Sequence, residues 1–236
     1  MKGYIEDKEF GKIYVELRRG MTSVRFTYHA DGHLLMRAPL GLSSDELQRL
    51  VDRDRERLRQ LRRPQSLSFH LGQVIECYRC RVVIEGTNPR PNYVQTRWEN
   101  DVLHVGVHPA TDLTDASVVK FVSSMISQAM QYKAVTQLLP YGQQVADELG
   151  LKPAGFEVGR GMRKLGHCTT RKVIQLSRNL MFMPEALIRY IICHELAHLT
   201  HMNHSPEFHA LVDEYTDGRE QELEQQLRQF RWPIAK

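Results

Sequence analysis

The chain of 236 residues has no run of roughly 18 consecutive apolar residues, which argues against a membrane-spanning helix. Its first eight residues, Met1 to Lys8, lack the apolar stretch of a secretory signal, so a cytoplasmic protein is expected. Cysteine is scarce. Four of them, Cys77, Cys80, Cys168 and Cys193, do not make a disulfide framework at this length. Cys77 and Cys80 form a C-x-x-C, but a zinc ribbon needs a second such pair and none exists. The β-branched residues after Cys80 read as a strand, where positions three apart face opposite sides, so these cysteines are expected to be structural. Charge of one sign is also lacking. The net +4 permits an acidic partner without demanding one. No internal repeat or low-complexity segment is apparent.

What is present is an ordinary globular composition with a change of pattern along the chain. Up to residue 112 apolar and polar positions mostly alternate, as in half-buried strands. Lys12–Leu17 reads as one strand. Val24–Tyr28 and Leu34–Ala38 flank His29-Ala-Asp-Gly-His33 as a hairpin. Leu67–Val107 should add three or four antiparallel strands, with turns near Gly86–Pro91 and Glu99–Asp101. Asp115–Leu138 reads as a long helix with Val118, Val122, Met125, Ile126, Ala129 and Met130 on its buried face. Pro140 should break it, with a shorter helix from Gln143 to Leu149 closed by Gly150. Two short strands, at Phe156–Val158 and Val173–Ser177, precede a helical remainder from Pro184, interrupted near Asn203 and Gly218. The expected class is α+β: a β-rich N-terminal domain over 1–112 with one helix, then a mainly helical domain over 113–236 with a small sheet.

That one N-terminal helix starts at a capping box, Ser43-Ser-Asp-Glu46, and should end at Pro64. Leu47, Leu50, Val51, Leu58 and Leu61 form its apolar stripe. Arg49, Arg53, Arg55, Arg57, Arg59, Arg62 and Arg63 crowd the other face, interleaved with Asp52, Asp54 and Glu56. Two readings stay open, a nucleic-acid surface and a solvated face laced with ion pairs; the interleaved acids favour the second.

The chemistry concentrates in Ile192–Phe208, which contains His194-Glu195-Leu-Ala-His198 and, six residues on, His204. Pro184 and Glu185 start a helix, and Leu187, Ile188, Ile191 and Ile192 bury it. Histidines four apart lie one above the other, about 6 Å apart at their bases, so both imidazoles can reach one ion at about 2 Å. Glu195 is turned by about 100° from His194 and can reach water at that ion without becoming a ligand. A catalytic zinc site takes three protein ligands and leaves one position open. His204 is the expected third, because Asn203 tolerates the left-handed backbone that ends a helix, while Ser205 and Pro206 cap the next one. Glu214 on that next helix is its rival. His201, about 10 Å along the axis from His194 on a continuing helix, is expected to support rather than ligate. Glu207 and His209 are candidate supporting or substrate-contacting groups. The bland alternative, a histidine-rich helix surface without metal, leaves the apolar Leu196 and Ala197 between the histidines unexplained.

The stretch Leu165–Pro184, then the motif helix and Asn203-His-Ser-Pro-Glu-Phe208, resembles the YgjP-like metallopeptidase family. That family is described as metal-dependent hydrolases, with a Trp-Gly-Ser-Cys element, a strand, then His-Glu-Leu-Ala-His and Asn-His-Ser. Gly166 and Cys168 match it; Leu165 and His167 stand where Trp and Ser are usual. Val24–Pro39 and the Ser43 helix extend the similarity upstream. The His204–His209 segment also resembles SprT-type proteases, which act on proteins bound to DNA and whose third zinc ligand matches His204. The His198-to-His204 spacing equals that of metzincins, with His201 in place of their glycine.

The resemblance implies a zincin-like metallopeptidase domain and a peptide or protein substrate. The expected activity is peptide hydrolysis with Zn²⁺ on His194, His198 and His204 and Glu195 as general base. The strand Val173–Ser177 is expected to pair with an extended substrate. A DNA-associated protein is the second expectation, resting on the arginine helix and on Arg160, Arg163, Lys164, Arg171 and Lys172. A non-catalytic metal site, closed by Glu214 or His209, is the third.

Overall fold

Alternation sets the first sheet. In the computed structural model, which describes residues 2–28, 32–61, 67–91, 93–159 and 164–235, strands β1 (Lys2–Asp7), β2 (Gly11–Arg18), β3 (Arg25–Tyr28) and β4 (Leu34–Pro39) lie in the order β1-β2-β4-β3. Ile13 and Val15 of β2 point inward while Lys12 and Tyr14 point out, the period-2 pattern of a sheet with one wet face. The outer pairs are antiparallel and the central β2–β4 pair is parallel. The expected turn at His29–Asp31 lies outside the described residues. α1 (Ser44–Arg53) begins with the expected box: the Ser43 hydroxyl accepts the Glu46 N–H, and the Glu46 carboxylate accepts the Ser43 N–H at 2.8 Å. Leu47, Val51 and Leu58 close a small core with Ile13, Val15, Phe26, Leu34, Met36 and Ala38.

The single helix expected here is divided at Asp54, a weak residue for a helix interior, and resumes as α2 (Arg55–Gln60). Arg55 donates to Asp7, Glu9 and Asp52, and Arg59 to Glu9 and Glu56. The Asp7 side chain is only 2% exposed. The Arg55 guanidinium, the N–H groups of Phe10 and Glu9, and the Gln48 amide hold its carboxyl well below the usual carboxylate range against the cost of burial. The ion-paired reading of this arginine face therefore describes Arg53, Arg55 and Arg59. Arg49 and Arg57 are exposed, and Arg62, Arg63 and Pro64 lie outside the described residues.

Contacts divide the chain into Met1–Ser66 and Leu67–Lys236. The second unit repeats the plan of the first. β5 (Val74–Cys77), β6 (Cys80–Glu85), β7 (Gln95–Glu99) and β8 (Val102–Gly106) run in the order β5-β6-β8-β7, again with a parallel central pair and antiparallel flanks. Both central pairs join residues 21 apart, Ile13 with Leu34 and Arg81 with Val102. Each sheet then leads into a helix capped by a polar side chain, Ser43 or Asp115. A repeat unseen in the sequence is thus present in the backbone, because strand order does not fix which side chains fill the core. The all-antiparallel pairing expected for Leu67–Val107 is corrected by the parallel β6–β8 pair.

The C-x-x-C is corrected too. Cys77 and Cys80 bracket a two-residue turn and stand opposite each other across it, on the same side of the hairpin. Strand alternation stops at the turn, where Arg79 takes a left-handed φ of 54°.

After β8, α3 (Ala116–Lys133) does not stop at Pro140. A π-helical turn over Ala134–Leu138 carries it into α4 (Leu139–Glu148). The wide turn opens the helix just where the proline ring would otherwise strike the preceding carbonyl. A three-stranded sheet follows, β9 (Gly155–Gly159), β10 (Gly166–Cys168) and β11 (Val173–Ser177), in the order β10-β11-β9. A 3-10 turn over Arg178–Phe182 leads to α5 (Glu185–Ala197), α6 (Pro206–Tyr215) and α7 (Glu220–Gln229). One hydrophobic core joins β5–β8 to these helices, so the domain break expected at 112–113 falls inside this unit. The architecture is α+β, and no helix among the described residues is long and apolar enough to cross a membrane.

Candidate metal centre

α5 is a core helix. Leu187, Ile188, Tyr190, Ile191, Ile192, Cys193, Leu196 and Ala197 are all buried around it. Polar groups on such a helix are costly unless partnered, so His194, Glu195 and His198 in its last turn stand out. The helix ends at His198, not near Asn203 as expected. The Thr200 and His201 N–H groups both turn back to the Ala197 carbonyl. Asn203 is not among the described residues with positive φ. The corner is held by His198 instead, whose Nδ1 lies 2.9 Å from the His201 carbonyl oxygen. Ser205 then caps α6 as expected, accepting the Phe208 N–H, with Pro206 at its first position.

This corner brings His204 onto the other two imidazoles. One nitrogen from each of His194, His198 and His204 lies within 4.8 Å of the others, and the His194 and His204 Nε2 atoms are 3.1 Å apart. Tetrahedral ligands at about 2 Å from a zinc ion sit roughly 3.3 Å from one another, so the donor set needs only small movements to fit. With Nδ1 facing a carbonyl, His198 presents Nε2. Burial first, then the neighbouring imidazoles, push His194 down to about 4, and burial lowers His198 as well. Both are therefore neutral near pH 7, the state a metal ligand needs. Beneath all three lies Phe208, fully buried, stacked on His198 at 4.5 Å and edge-on to His194 and His204.

Glu195 is 7% exposed and its side chain lies against Gly166 of β10. The Cys168 N–H donates to its carboxylate, yet burial outweighs this and raises it to about 7. Gly166 makes the approach possible: a Cβ there would lie 2.5 Å from Glu195 Oε1 and 2.7 Å from Cδ. The expected substrate strand, β11, is not available. It pairs with β10 on one side and β9 on the other, so the edge beside the site belongs to β10. Leu165 accepts from Ser177, and Thr169 donates to Val173. By alternation the Gly166 N–H and C=O and the Cys168 C=O face outward.

Of the other candidates, Glu214 is exposed and outside the donor cluster. His209 lies 2.7 Å from the Glu220 carboxylate through Nδ1, with its ring 6.3 Å from that of His204. Glu207 is exposed at the start of α6, its carboxyl lowered by the Ser205 hydroxyl. His201 contributes its main-chain carbonyl, and Leu165 packs against the core while His167 is exposed on β10. Arg160 and Arg163 lie outside the described residues. Sequence reasoning missed Phe208 and the physical role of Gly166. A glycine inside a strand is a signal of close approach.

No curated protein matches this chain. Among solved structures, the metallopeptidase zymogen jannalysin of Methanocaldococcus jannaschii aligns at 22% identity over 39% of this chain and 95% of its own, with a TM-score of 0.35. The family described as YgjP-like, metallopeptidase domain matches residues 22–230, so it covers β3 and β4 of the first sheet, the whole second four-stranded sheet, β10 and the histidine cluster. The chain belongs to the YgjP-like metallopeptidase domain family.

Proposed function

We propose that this metallopeptidase binds Zn²⁺ through His194, His198 and His204 and hydrolyses peptide bonds with Glu195 as general base. The observation that carries the reading is the convergence of three imidazoles on one point with a buried carboxylate in the same helical turn. Three donors without a fourth suit a site with one open position; among the described residues neither Glu214 nor His209 joins them. A zinc ion held there supplies Lewis acidity, polarising a carbonyl and making water a stronger acid near neutral pH.

The chain's own groups then account for the proton. Glu195, raised by burial, accepts it from the attacking water and delivers it to the leaving amine nitrogen. The Cys168 N–H and the bare Cα of Gly166 keep the carboxylate in one place. An extended substrate would pair with the outward groups of β10. All four cysteines are free thiols, which suits a reducing compartment, and the cytoplasm is the one proposed. Metal analysis and cleavage of quenched peptide pools test this reading. Wild type and Glu195→Gln should each hold one equivalent of zinc, with cleavage lost only in the variant. Undiminished cleavage by Glu195→Gln would remove Glu195 from the mechanism.

A further inference from the structure

The segment from Val158 to Pro184 contains no Asp or Glu and six Lys or Arg residues, in a chain whose two charge signs are otherwise close to balance. Three of the six, Lys164, Arg171 and Lys172, are exposed and form no ion pair among the described residues. They bracket β10. Lys164 precedes it, close enough to Glu195 to lower that carboxyl. Arg171 and Lys172 follow it in a tight turn in which the Lys172 N–H donates back to the Thr169 carbonyl at 2.9 Å. That turn holds Lys172 at a φ of 61°, and its charge reaches Cys168 at the strand's end. A left-handed backbone favours Gly or Asn, so a lysine there is not explained by the turn. By contrast Arg55, Arg59, Lys133, Arg189 and Arg219 are all engaged with carboxylates.

We infer that the substrate is an acidic peptide: an extended chain lying along β10 with Asp or Glu near Lys164 at one end and near Arg171 and Lys172 at the other. Residues 164 and 171 are separated by a strand of three residues and the start of the turn. A paired peptide of about six residues, at about 3.3 Å each, spans that distance. Its carboxylates would meet exposed cations at both ends, while its backbone meets the outward groups of Gly166 and Cys168. A nucleic acid offers negative charge as well, but not alternating N–H and C=O groups for a sheet edge, so the bare edge of β10 favours the peptide.

The inference rests on the peptidase reading, and the test separates the two. Three labelled probes are titrated by fluorescence anisotropy into zinc-loaded Glu195→Gln protein: a ten-residue peptide with Asp and Glu on both sides of a central apolar pair, its Asn and Gln counterpart, and a single-stranded oligonucleotide of equal net charge. The acidic peptide should bind about tenfold more tightly than its amide counterpart at low salt, the effect of a few exposed charge pairs together. That preference should vanish near 1 M salt, where screening acts within about 3 Å. It should also vanish in a Lys164→Gln, Arg171→Gln, Lys172→Asn variant that still binds the amide peptide normally. Equal binding of the two peptides overturns the inference, and so does an oligonucleotide that outcompetes the acidic peptide. If the acidic preference holds but wild-type protein cleaves neither peptide, the recognition stands and the peptidase reading falls.

Discussion

Gly166→Ala is the most economical perturbation of the site, because it adds one methyl group and touches no titratable atom. The new Cβ would lie 2.5 Å from Glu195 Oε1 and 2.7 Å from Cδ, where about 3.4 Å is the closest comfortable contact. One of the two groups must therefore move by about 1 Å. β10 is held by β11 through the Leu165 and Thr169 hydrogen bonds, so the carboxylate should yield. A displacement of about 1 Å can lower a rate by about 10²-fold. Overpacking of this kind costs about 1–3 kcal/mol. For a chain of this size that lowers the melting midpoint by roughly 3–10 °C. The nearest atoms to the added methyl group all belong to Glu195, so metal content should stay at the wild-type value. Cleavage of quenched peptides, metal analysis and calorimetry read the three quantities on one preparation. Adding Glu195→Asp should relieve the clash and restore the midpoint without restoring the rate. Full activity and an unchanged midpoint in Gly166→Ala would refute the close approach of Glu195 to β10 and the role given to it.

His204→Ala should lose metal affinity by roughly 10²-fold or more while Glu214→Ala keeps it, as measured by competition with a chromogenic chelator; the reverse order would restore Glu214 as the third ligand. Arg55→Met should reduce hydrogen-exchange protection of the β1–β2 amides by roughly one to two powers of ten near pH 7, since it strips Asp7 of its main partner. The Asp7 carboxyl is depressed in the fold, so its contribution is complete above the ordinary Asp value of about 4 and fades as pH falls toward its folded value. The gap between variant and wild type should therefore narrow in acid, and a gap independent of pH would contradict this account. Cys77 and Cys80, opposite one another at about 4.5–5.5 Å between Cα atoms, should close to an intramolecular disulfide under mild diamide treatment. Intact mass should show the loss of two hydrogens, and stable mixed adducts on both thiols would argue against that geometry.

Local spacing made much of the site legible. His194 and His198 follow from the helical period, and the cap at Ser205 with Pro206 announced the helix that delivers His204. The path between them was misjudged because a helix can end on a side-chain to main-chain hydrogen bond, as His198 does with His201, without any left-handed residue. Strands were found from alternation, but alternation carries no information on partners. So β11 was taken for an edge, the parallel β2–β4 and β6–β8 pairs were unforeseen, and the contact of Gly166 with Glu195 was invisible. Pro140 misled for a related reason. Its clash is a local rule, and a π turn in the preceding residues satisfies it without ending the helix.

The twice-used strand plan divides labour between its copies. In the first, the β1–β2 turn carries Asp7 and Glu9, which hold Arg55 and Arg59 of the helix belonging to the same copy. In the second, the corresponding β5–β6 turn carries Tyr78, buried, whose N–H donates at 2.7 Å to the Met181 carbonyl in the 3-10 turn that launches the motif helix. Equivalent corners of one architecture thus hold different partners. Changes in the first act on the small core of that unit, whereas changes in the second act on the turn that launches the helix bearing Glu195 and two of the imidazoles. A saturation mutagenesis scan should accordingly show the first turn tolerating any substitution that spares stability. At Tyr78, folded but inactive variants should appear.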